Sequence, residues 1–510
     1  MRPLLAVLAV LSILALPAEA QEPPAPDGDC LRAVAGLDLQ TATVPQLQAA
    51  MADGRLSSAT LVDAYRARIA RFDGLTNAVR ALDPTARAQA ERLDAERARG
   101  EVRGPLHGIP VLLKDNVAST GLPLTAGSIA LEGVEPSRDA TLVARLREAG
   151  AVVLGKANLS EFANWVALGM PNGFSSLGGQ VRNAIHGGDP SGSSAGSGVA
   201  ASMAYAAVTI GTETSGSILS PSIANSVVGI KPSMGLVSRA GILPLAPSFD
   251  VAGPMTRNVT DAALVLDAID GRDPRDPATG AAPAIEPAAQ VGRERLDGVR
   301  LAYDKRTRDG LGAQRRALFD QALAQLRALG ATVVEVNALA AQPVGLAEIG
   351  LIPNEFKASL NAFLAEELPG AKHKTLSAIV AHAKANPQAY RYGQNLLEAS
   401  DATPGRGELY PAGGIGVRQA AAAAIEAALL EADADAIVGP GNAHANVGAA
   451  AGFPTVVVPQ GALSEGLAPQ GLAFLGRPYA EGSLVGFAAA YERAAAGRVV
   501  PTEVNPDLAC

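Results

Sequence analysis

Short apolar runs alternate with amphipathic stretches along most of this chain. Patterns typical of buried strands occur at residues 109–117, 151–154, 227–230, 299–303, 332–336, 435–438 and 455–458. Helical patterns lie between them, for example at 140–149, 314–329 and 417–432. Strands that alternate with helices are typical of an α/β sheet covered by helices on both faces. We therefore predict the α/β class.

The pattern also indicates how the chain is organised. Asp83 as N-cap and Pro84 at the first helical position predict a helix that Gly100 ends. Residues 271–298 are rich in Pro, Ala and Asp and predict a long surface connection within one domain. Residues 354–403 are helical in pattern and more charged, so they are expected to shape a substrate cleft. We find no internal repeats, and we predict a single large domain over residues 21–510.

Composition narrows the class of function. The 510 residues are 48% hydrophobic and carry a formal net charge of only −8, which argues against disorder as the main state. A pI near 5.4 argues against a nucleic-acid partner, because phosphate binding needs a basic face. An aromatic content of 4% also makes stacking platforms for single strands unexpected. An enzyme fits best.

The first twenty residues have the pattern of an export signal. Arg2 precedes an apolar run at residues 4–16, and small residues flank Glu19. Thirteen apolar residues are fewer than the roughly 20 that span a bilayer, so we expect cleavage and no stable membrane anchor. A retained anchor is the alternative. The expected location is the periplasm or the medium, where Cys30 and Cys510 form a disulfide or remain free thiols.

The most unusual segment is residues 187–222, in which Gly and Ser are dense but alternate with apolar runs. Backbone N–H groups of such loops converge readily on an anion. A flexible linker would not alternate with apolar runs, so a site on a rigid scaffold is the better interpretation. No Cys/His cluster with zinc spacing occurs, and no metal or cofactor is expected.

Residues 192–196 match G-x-S-x-G, the nucleophile elbow of α/β-hydrolases. The elbow should follow a buried strand, yet residues 186–190 are polar and rich in Gly. Three of the five histidines follow the serines, as that triad order requires, and none has a flanking pattern that marks a base: the five are His107, His186, His373, His382 and His444. A Ser-His-Asp esterase is therefore kept as the alternative function.

Lysine is the other residue that can activate a serine, provided that its pKa is lowered. Lys114 interrupts the apolar run at residues 109–113, where an ammonium group would be unfavourable to bury. A strand-end lysine that extends to solvent is the alternative interpretation.

Several long motifs in order make the chain resemble the amidase signature family. They are residues 106–116 (LHGIPVLLKDN), 153–161 (VLGKANLSE), 192–197 (GSSAGS), 211–218 (GTETSGSI), 228–233 (VGIKPS) and 253–255 (GPM). The likeness is strong over about residues 106–270 and looser to the C-terminus. It implies the fold of that family, a mixed central sheet with helices on both faces. It also implies hydrolysis of a carboxamide C–N bond through an acyl-enzyme.

The resemblance implies a Ser-cisSer-Lys triad. By motif position, Ser217 is the nucleophile, Ser193 the serine with the cis peptide bond and Lys114 the base, with Ser194 in a supporting network. The resemblance further places the oxyanion at backbone N–H groups of Thr214, Ser215, Gly216 and Ser217.

Three positions depart from the family pattern. Many members have Asp at Glu213, Gly at Ser215 and Arg at Leu219, so support of the nucleophile loop is expected to differ here. Residues 212–221, 235–239 and 354–357 most resemble the peptide amidase branch, which removes C-terminal amides from peptides. Glu355 and Lys357 line the pocket or are solvated charges on a helix face. A catalytically inactive binding homologue remains a further alternative.

Overall fold

The computed structural model describes residues 31–337, 339, 344–405, 410–464, 467–505 and 508. The expected export signal, Cys30 and Cys510 lie outside these residues. The strands within them are β1 (Ala33–Val34), β2 (Leu37–Asp38), β3 (Val79–Leu82), β4 (Pro110–Lys114), β5 (Val152–Ala157), β6 (Phe174–Ser175), β7 (Gly179–Gln180), β8 (Val208–Glu213), β9 (Val228–Lys231), β10 (Val251–Thr256), β11 (Arg300–Asp304), β12 (Thr332–Val336), β13 (Ala436–Pro440), β14 (Thr455–Ala462) and β15 (Pro469–Gly476).

The described chain also contains seventeen α-helices. They are α1 (Val44–Ala52), α2 (Ser58–Thr76), α3 (Ala86–Ala98), α4 (Thr141–Glu148), α5 (Glu161–Asn164), α6 (Ala195–Ser202), α7 (Leu219–Ala224), α8 (Val259–Ile269), α9 (Lys305–Asp309), α10 (Ala313–Ala328), α11 (Val344–Glu366), α12 (Leu376–Ala385), α13 (Asn395–Asp401), α14 (Tyr410–Ala432), α15 (Ala445–Ala451), α16 (Glu481–Ala495) and α17 (Pro501–Val504).

One mixed sheet of eleven strands organises the chain, in the order β12-β11-β13-β15-β14-β9-β10-β8-β4-β5-β3. Its parallel pairs are β12–β11, β11–β13, β8–β4 and β4–β5, and the other neighbours are antiparallel. Every residue of β4, β5, β8 and β10 is buried, so both faces of the sheet are covered there. The predicted α/β class is confirmed.

All seven predicted strand regions contain a strand, with shifts of a few residues at their ends. The largest shift is in β14, which continues to Ala462, and β4 ends early, at Lys114, because the next residues turn. The predicted helix start at Asp83 is wrong by two residues. Thr85 is the N-cap of α3, and the Asp83 carboxylate accepts hydrogen bonds from the Thr85 N–H and hydroxyl, each at 2.7 Å.

The helical region predicted at residues 354–403 is present as α11, α12 and α13, although α11 begins earlier, at Val344. It is fastened to the motif-rich part of the chain. The Trp165 indole donates to Ser400 Oγ at 2.9 Å, and the rings of Phe162 and Phe356 meet edge to face at 5.8 Å. Residues 271–298 run between α8 and β11 with two 3₁₀ turns, Pro277–Ala281 and Pro287–Gln290.

Candidate active site

Strands β4 and β8 bring the lysine to the serines. They are parallel neighbours with Leu113 opposite Ile210, so their carboxyl ends meet at one edge of the sheet. Lys114 is the last residue of β4 and is fully buried. Its Nζ donates to Ser193 Oγ at 2.8 Å, to Thr212 Oγ1 at 2.9 Å and to the Thr212 carbonyl oxygen at 3.2 Å. The alternative of a lysine that extends to solvent is therefore wrong.

Burial lowers the pKa of Lys114 to about 7, against the opposing charges of Asp250 and Glu213. Lys156 is equally buried, but its Nζ lies 3.5 Å from Asp115 Oδ1, so it has a carboxylate partner. The hydrogen-bond acceptors of Lys114 are hydroxyl groups and a carbonyl, which stabilise an ammonium less than a carboxylate does. Lys114 is thus placed to be neutral near pH 7 and to accept a proton.

The peptide bond between Gly192 and Ser193 is cis, as the resemblance implies. The Ser193 carbonyl oxygen accepts the Ser160 N–H at 3.0 Å, which fastens this loop to the start of α5. A Cβ on Gly192 would lie 2.6 Å from Ser160 Oγ, so a larger residue would have to displace this hydroxyl, which accepts the Gly173 N–H at 2.7 Å. Ser194 is fully buried. Its hydroxyl donates to the Thr212 carbonyl at 3.0 Å and accepts the Thr212 N–H at 3.2 Å.

Ser217 lies in the loop between β8 and α7 and is partly exposed. The Ser194 N–H donates to the Ser217 carbonyl at 3.2 Å, which joins the two serine loops. The Gly216 carbonyl accepts the Ser220 N–H at 2.8 Å, in the direction of α7. In a planar trans peptide the C=O and the following N–H point in opposite directions. The Ser217 N–H therefore points away from α7, where an oxyanion could approach it.

The Glu213 carboxylate supports the loop that carries Ser217. Its Oε2 accepts the N–H groups of Ile218 at 2.7 Å and Leu219 at 2.9 Å, directly after Ser217. Burial raises the pKa of Glu213, and the nearby Lys231 charge opposes that rise. Lys231 on β9 is buried and supplies the opposite charge near Glu213, and Leu219 packs against Ala445 and Val457.

Sequence reasoning missed several residues of this network. Thr214 Oγ1 donates to Asp250 Oδ1 at 2.6 Å, and Asp250 Oδ2 accepts the Leu245 and Ala246 N–H groups at 2.9 Å. Asn116 Nδ2 donates to Thr212 Oγ1 at 3.0 Å. Asn116 stands two residues from Lys114, and that spacing was an available signal. Asp250 had none, because it lies outside the serine-rich segment.

The nucleophile-elbow interpretation does not fit this geometry. Residues 181–194 are irregular and α6 starts at Ala195, so no strand leads directly into Ser194. Its hydroxyl is buried and bonded to backbone on both sides. Three histidines follow the serines along the chain and are the candidates for the base of such a triad. The rings of His373 and His382 contact each other, with 4.6 Å between their centroids, and burial lowers the pKa of His444 to about 4.

Neither Glu355 nor Lys357 is a solvated charge on a helix face. Glu355 is fully buried and accepts the Ser248 N–H at 2.8 Å. Lys357 Nζ donates to the Thr403 carbonyl at 3.0 Å and also bonds the Asp401 carbonyl. Both hold the helical region to its neighbours.

The side chains of the described residues form no group of three or more His, Cys, Asp or Glu suited to a metal ion. None of the described helices combines the length and apolar character needed to cross a bilayer.

Comparison with known proteins gives one family. The family described as Amidase matches residues 60–484. A probable amidase from Arabidopsis thaliana is 37% identical over 488 residues, which are 92% of this chain and 93% of the relative. The solved peptide amidase of Stenotrophomonas maltophilia is 41% identical with a TM-score of 0.86, covering 90% of this chain and 98% of that one. An amidase family protein from Bacillus anthracis is 34% identical with a TM-score of 0.86, covering 91% and 92%.

Proposed function

Because the chain belongs to the amidase family and therefore hydrolyses amide C–N bonds, we propose that Lys114, Ser193 and Ser217 perform this reaction. The observation that carries the proposal is the buried Lys114 Nζ at 2.8 Å from Ser193 Oγ. In the first step neutral Lys114 takes the Ser193 proton, Ser193 takes that of Ser217, and Ser217 Oγ attacks the amide carbonyl.

The developing oxyanion accepts hydrogen bonds from the Ser217 N–H and from amides of residues 214 and 215, whereas the Gly216 N–H, expected as a further donor, interacts with the Glu213 carboxylate. Each such donor lowers the barrier by ~3 kcal/mol. The tetrahedral intermediate then collapses. The C–N bond breaks, and protonated Lys114 returns its proton through Ser193 to the leaving nitrogen, which departs as ammonia or an amine. Water attacks the acyl-enzyme by the same proton path and releases the acid, which restores Ser217.

We infer that the substrates include peptides with a C-terminal amide. The likeness to a solved peptide amidase over nearly the whole of both chains supports this class. Residues 235–239 and 354–357, which resemble that branch in sequence, hold the segment that leads to Asp250: Arg239 contacts the Pro247 carbonyl, and Glu355 accepts the adjacent Ser248 N–H.

Ammonia release from a short amidated peptide tests both the assignment of Ser217 as the nucleophile and the proposed substrate class. Wild-type protein should release ammonia and the free acid in equal amounts, and Ser217→Ala should release neither. Ser137→Ala, which changes an exposed serine outside the site, should retain wild-type activity. Release that persists in Ser217→Ala would refute the assignment of the nucleophile. Hydrolysis of small amides without any hydrolysis of peptide amides would refute the substrate class.

We also propose that the protein is exported, on the pattern of residues 1–20. Expression of the full chain in a Gram-negative host should place activity in the periplasm. N-terminal sequencing there should begin at or near Gln21. Activity confined to the cytoplasm, with the first twenty residues intact, would refute export.

A further inference from the structure

A cavity of ≈ 270 Å³ lies beside the two serine loops and belongs to no residue of the proposed triad. It is at the small end for ligand sites, which span roughly 300–1,000 Å³, and suits about one or two amino-acid residues. Its walls come from distant parts of the chain: Ser191, helix α7, the start of α10, and the ends of β13, β14 and β15.

Two walls of the cavity belong to the chain segments that carry Ser193 and Ser217. Ser191 stands two residues before Ser193. Ser220, Ile223 and Ala224 line it from α7, at the spacing of one helix face. Ser220 bonds back to the Gly216 carbonyl, so this face of α7 continues from the nucleophile loop. Asn442 closes the wall by donating to Ser220 Oγ at 2.6 Å.

The lining has a definite chemistry. Apolar side chains such as Leu318 and Pro469 alternate with the neutral amides of Asn442, Gln460 and Gln470. Arg315 is exposed at the rim, and none of the described lining residues carries a carboxylate. Partial desolvation of His186 lowers its pKa below the ordinary 6.5, against the opposing charge of Asp189, so this imidazole is mainly neutral at pH 7. The wall therefore presents apolar surface, hydrogen-bonding groups and one positive charge.

We propose that this cavity binds the acyl part of the substrate beyond the reacting carbonyl, namely the residue that precedes the amidated C-terminal residue, and favours acidic or neutral side chains over basic ones. The inference rests on the proposed peptide-amide function. If the leaving group is ammonia, it needs no cavity of this size. The peptide chain on the acyl side must extend away from Ser217, and the cavity adjoins that loop. Arg315 attracts a carboxylate and repels an ammonium at the rim.

Two acetylated dipeptide amides, with Glu or Lys as the penultimate residue and otherwise identical, provide the test. Wild type should show a higher kcat/KM for the Glu peptide. Arg315→Glu should shift the Glu-to-Lys ratio by about tenfold towards Lys, and the shift should shrink in high salt. Arg327→Glu makes the same charge change at the other, exposed end of α10 and should leave the ratio unchanged.

Gln470→Trp gives a second measurement, since an aromatic side chain is compatible with β15 and would fill the cavity. It should raise KM for both peptides about tenfold while leaving hydrolysis of a small aliphatic amide intact. An unchanged ratio in Arg315→Glu together with unchanged KM in Gln470→Trp would overturn the cavity assignment alone. Failure of wild type to hydrolyse either peptide, with small-amide hydrolysis present, would overturn the proposed substrate class and this inference with it.

Discussion

At the scale of single residues, the neutral acceptors of Lys114 set the expected pH dependence. Its base form is needed for catalysis, and burial places its pKa at about 7. We expect kcat/KM to rise with pH through about 7, because the fraction of neutral Lys114 rises there. A profile that is flat between pH 5.5 and 8.5 would contradict a lysine base with this pKa.

Removal of the base should be severe. Lys114→Met is expected to lower kcat by about 10²- to 10⁴-fold, the usual contribution of a positioned general base. Lys372→Met changes an exposed lysine and should leave kcat and KM at wild-type values. Steady-state kinetics on one amide would measure both. Near-normal kcat in Lys114→Met would contradict a lysine base and favour a histidine-dependent mechanism.

The same lysine should make stability depend on pH. Its folded-state pKa of about 7 is lower than the ordinary 10.5, so between these values the unfolded chain binds a proton that the folded chain does not. Stability contributed by this group therefore rises with pH, by at most about 1.4 kcal/mol per pH unit. The increase in Tm from pH 7 to 9.5 should be larger for wild type than for Lys114→Met. Parallel Tm curves for the two proteins would show that Lys114 is not perturbed.

At the scale of elements, the start of α7 depends on the buried Glu213 carboxylate. Glu213 accepts two N–H groups next to Ser217, and Lys231 supplies the opposite buried charge. Lys231 also lies near Glu481, whose carboxylate accepts the Ser233 N–H at 2.6 Å. The nucleophile loop is thus attached, through β9, to the start of α16.

A double-mutant cycle measures this coupling. Lys231→Met should lower stability by about 3–5 kcal/mol, because it removes the buried positive charge near both Glu213 and Glu481. Glu213→Gln should lower it by less, because Lys231 keeps Glu481 nearby. The double variant should lose less than the sum of the two. Glu213→Gln should also lower kcat more than it changes KM, since it loosens the loop of Ser217. Strictly additive losses of Tm would show that the two groups do not interact.

Elements also show where sequence patterns succeed. Strands β4 and β5 are continuous apolar runs, and the pattern predicts them. Strand β10 was missed because it contains Gly253 and Pro254, which normally argue against a central strand. The structure accommodates both. The register of β9 with β10 includes only Met255 and Thr256, so Pro254 lies beyond that pairing, and a Cβ on Gly253 would lie 2.0 Å from the Ile230 carbonyl oxygen.

The site shows the same division. Lys114, Ser193 and Ser217 stand in motifs that the sequence presents directly. The residues that orient them come from other segments: Asp250 precedes β10 and stands in no motif, and Lys231 on β9 belongs to the motif at residues 228–233, which does not show what Lys231 contacts. A single sequence does not reveal such partners, because the contacts arise only when β8, β9 and β10 become neighbours in the sheet.

At the scale of the whole molecule, one sheet joins the two halves of the chain. Strand β14 pairs with β9 through Thr455–Lys231 and Val456–Ile230, which continues the sheet from the serine loops to the C-terminal strands. The helical region packs over this assembly. Phe356, Leu360 and Leu364 of α11 are all fully buried. Such continuity favours a single cooperative unfolding transition.

Trp165 allows this to be tested without a label, because it is the only tryptophan in the chain and its indole bonds to Ser400 on α13. Its fluorescence reports whether the helical region remains docked, while far-UV circular dichroism reports the whole fold. We expect the two thermal midpoints to coincide. Ser400→Ala should lower both equally, because it removes the hydrogen bonds of the Ser400 hydroxyl to Trp165 and to the Leu396 carbonyl, each worth about 1 kcal/mol of stability. An earlier fluorescence transition would mean instead that residues 344–405 detach while the sheet stays folded, so that the substrate cleft would have one movable wall.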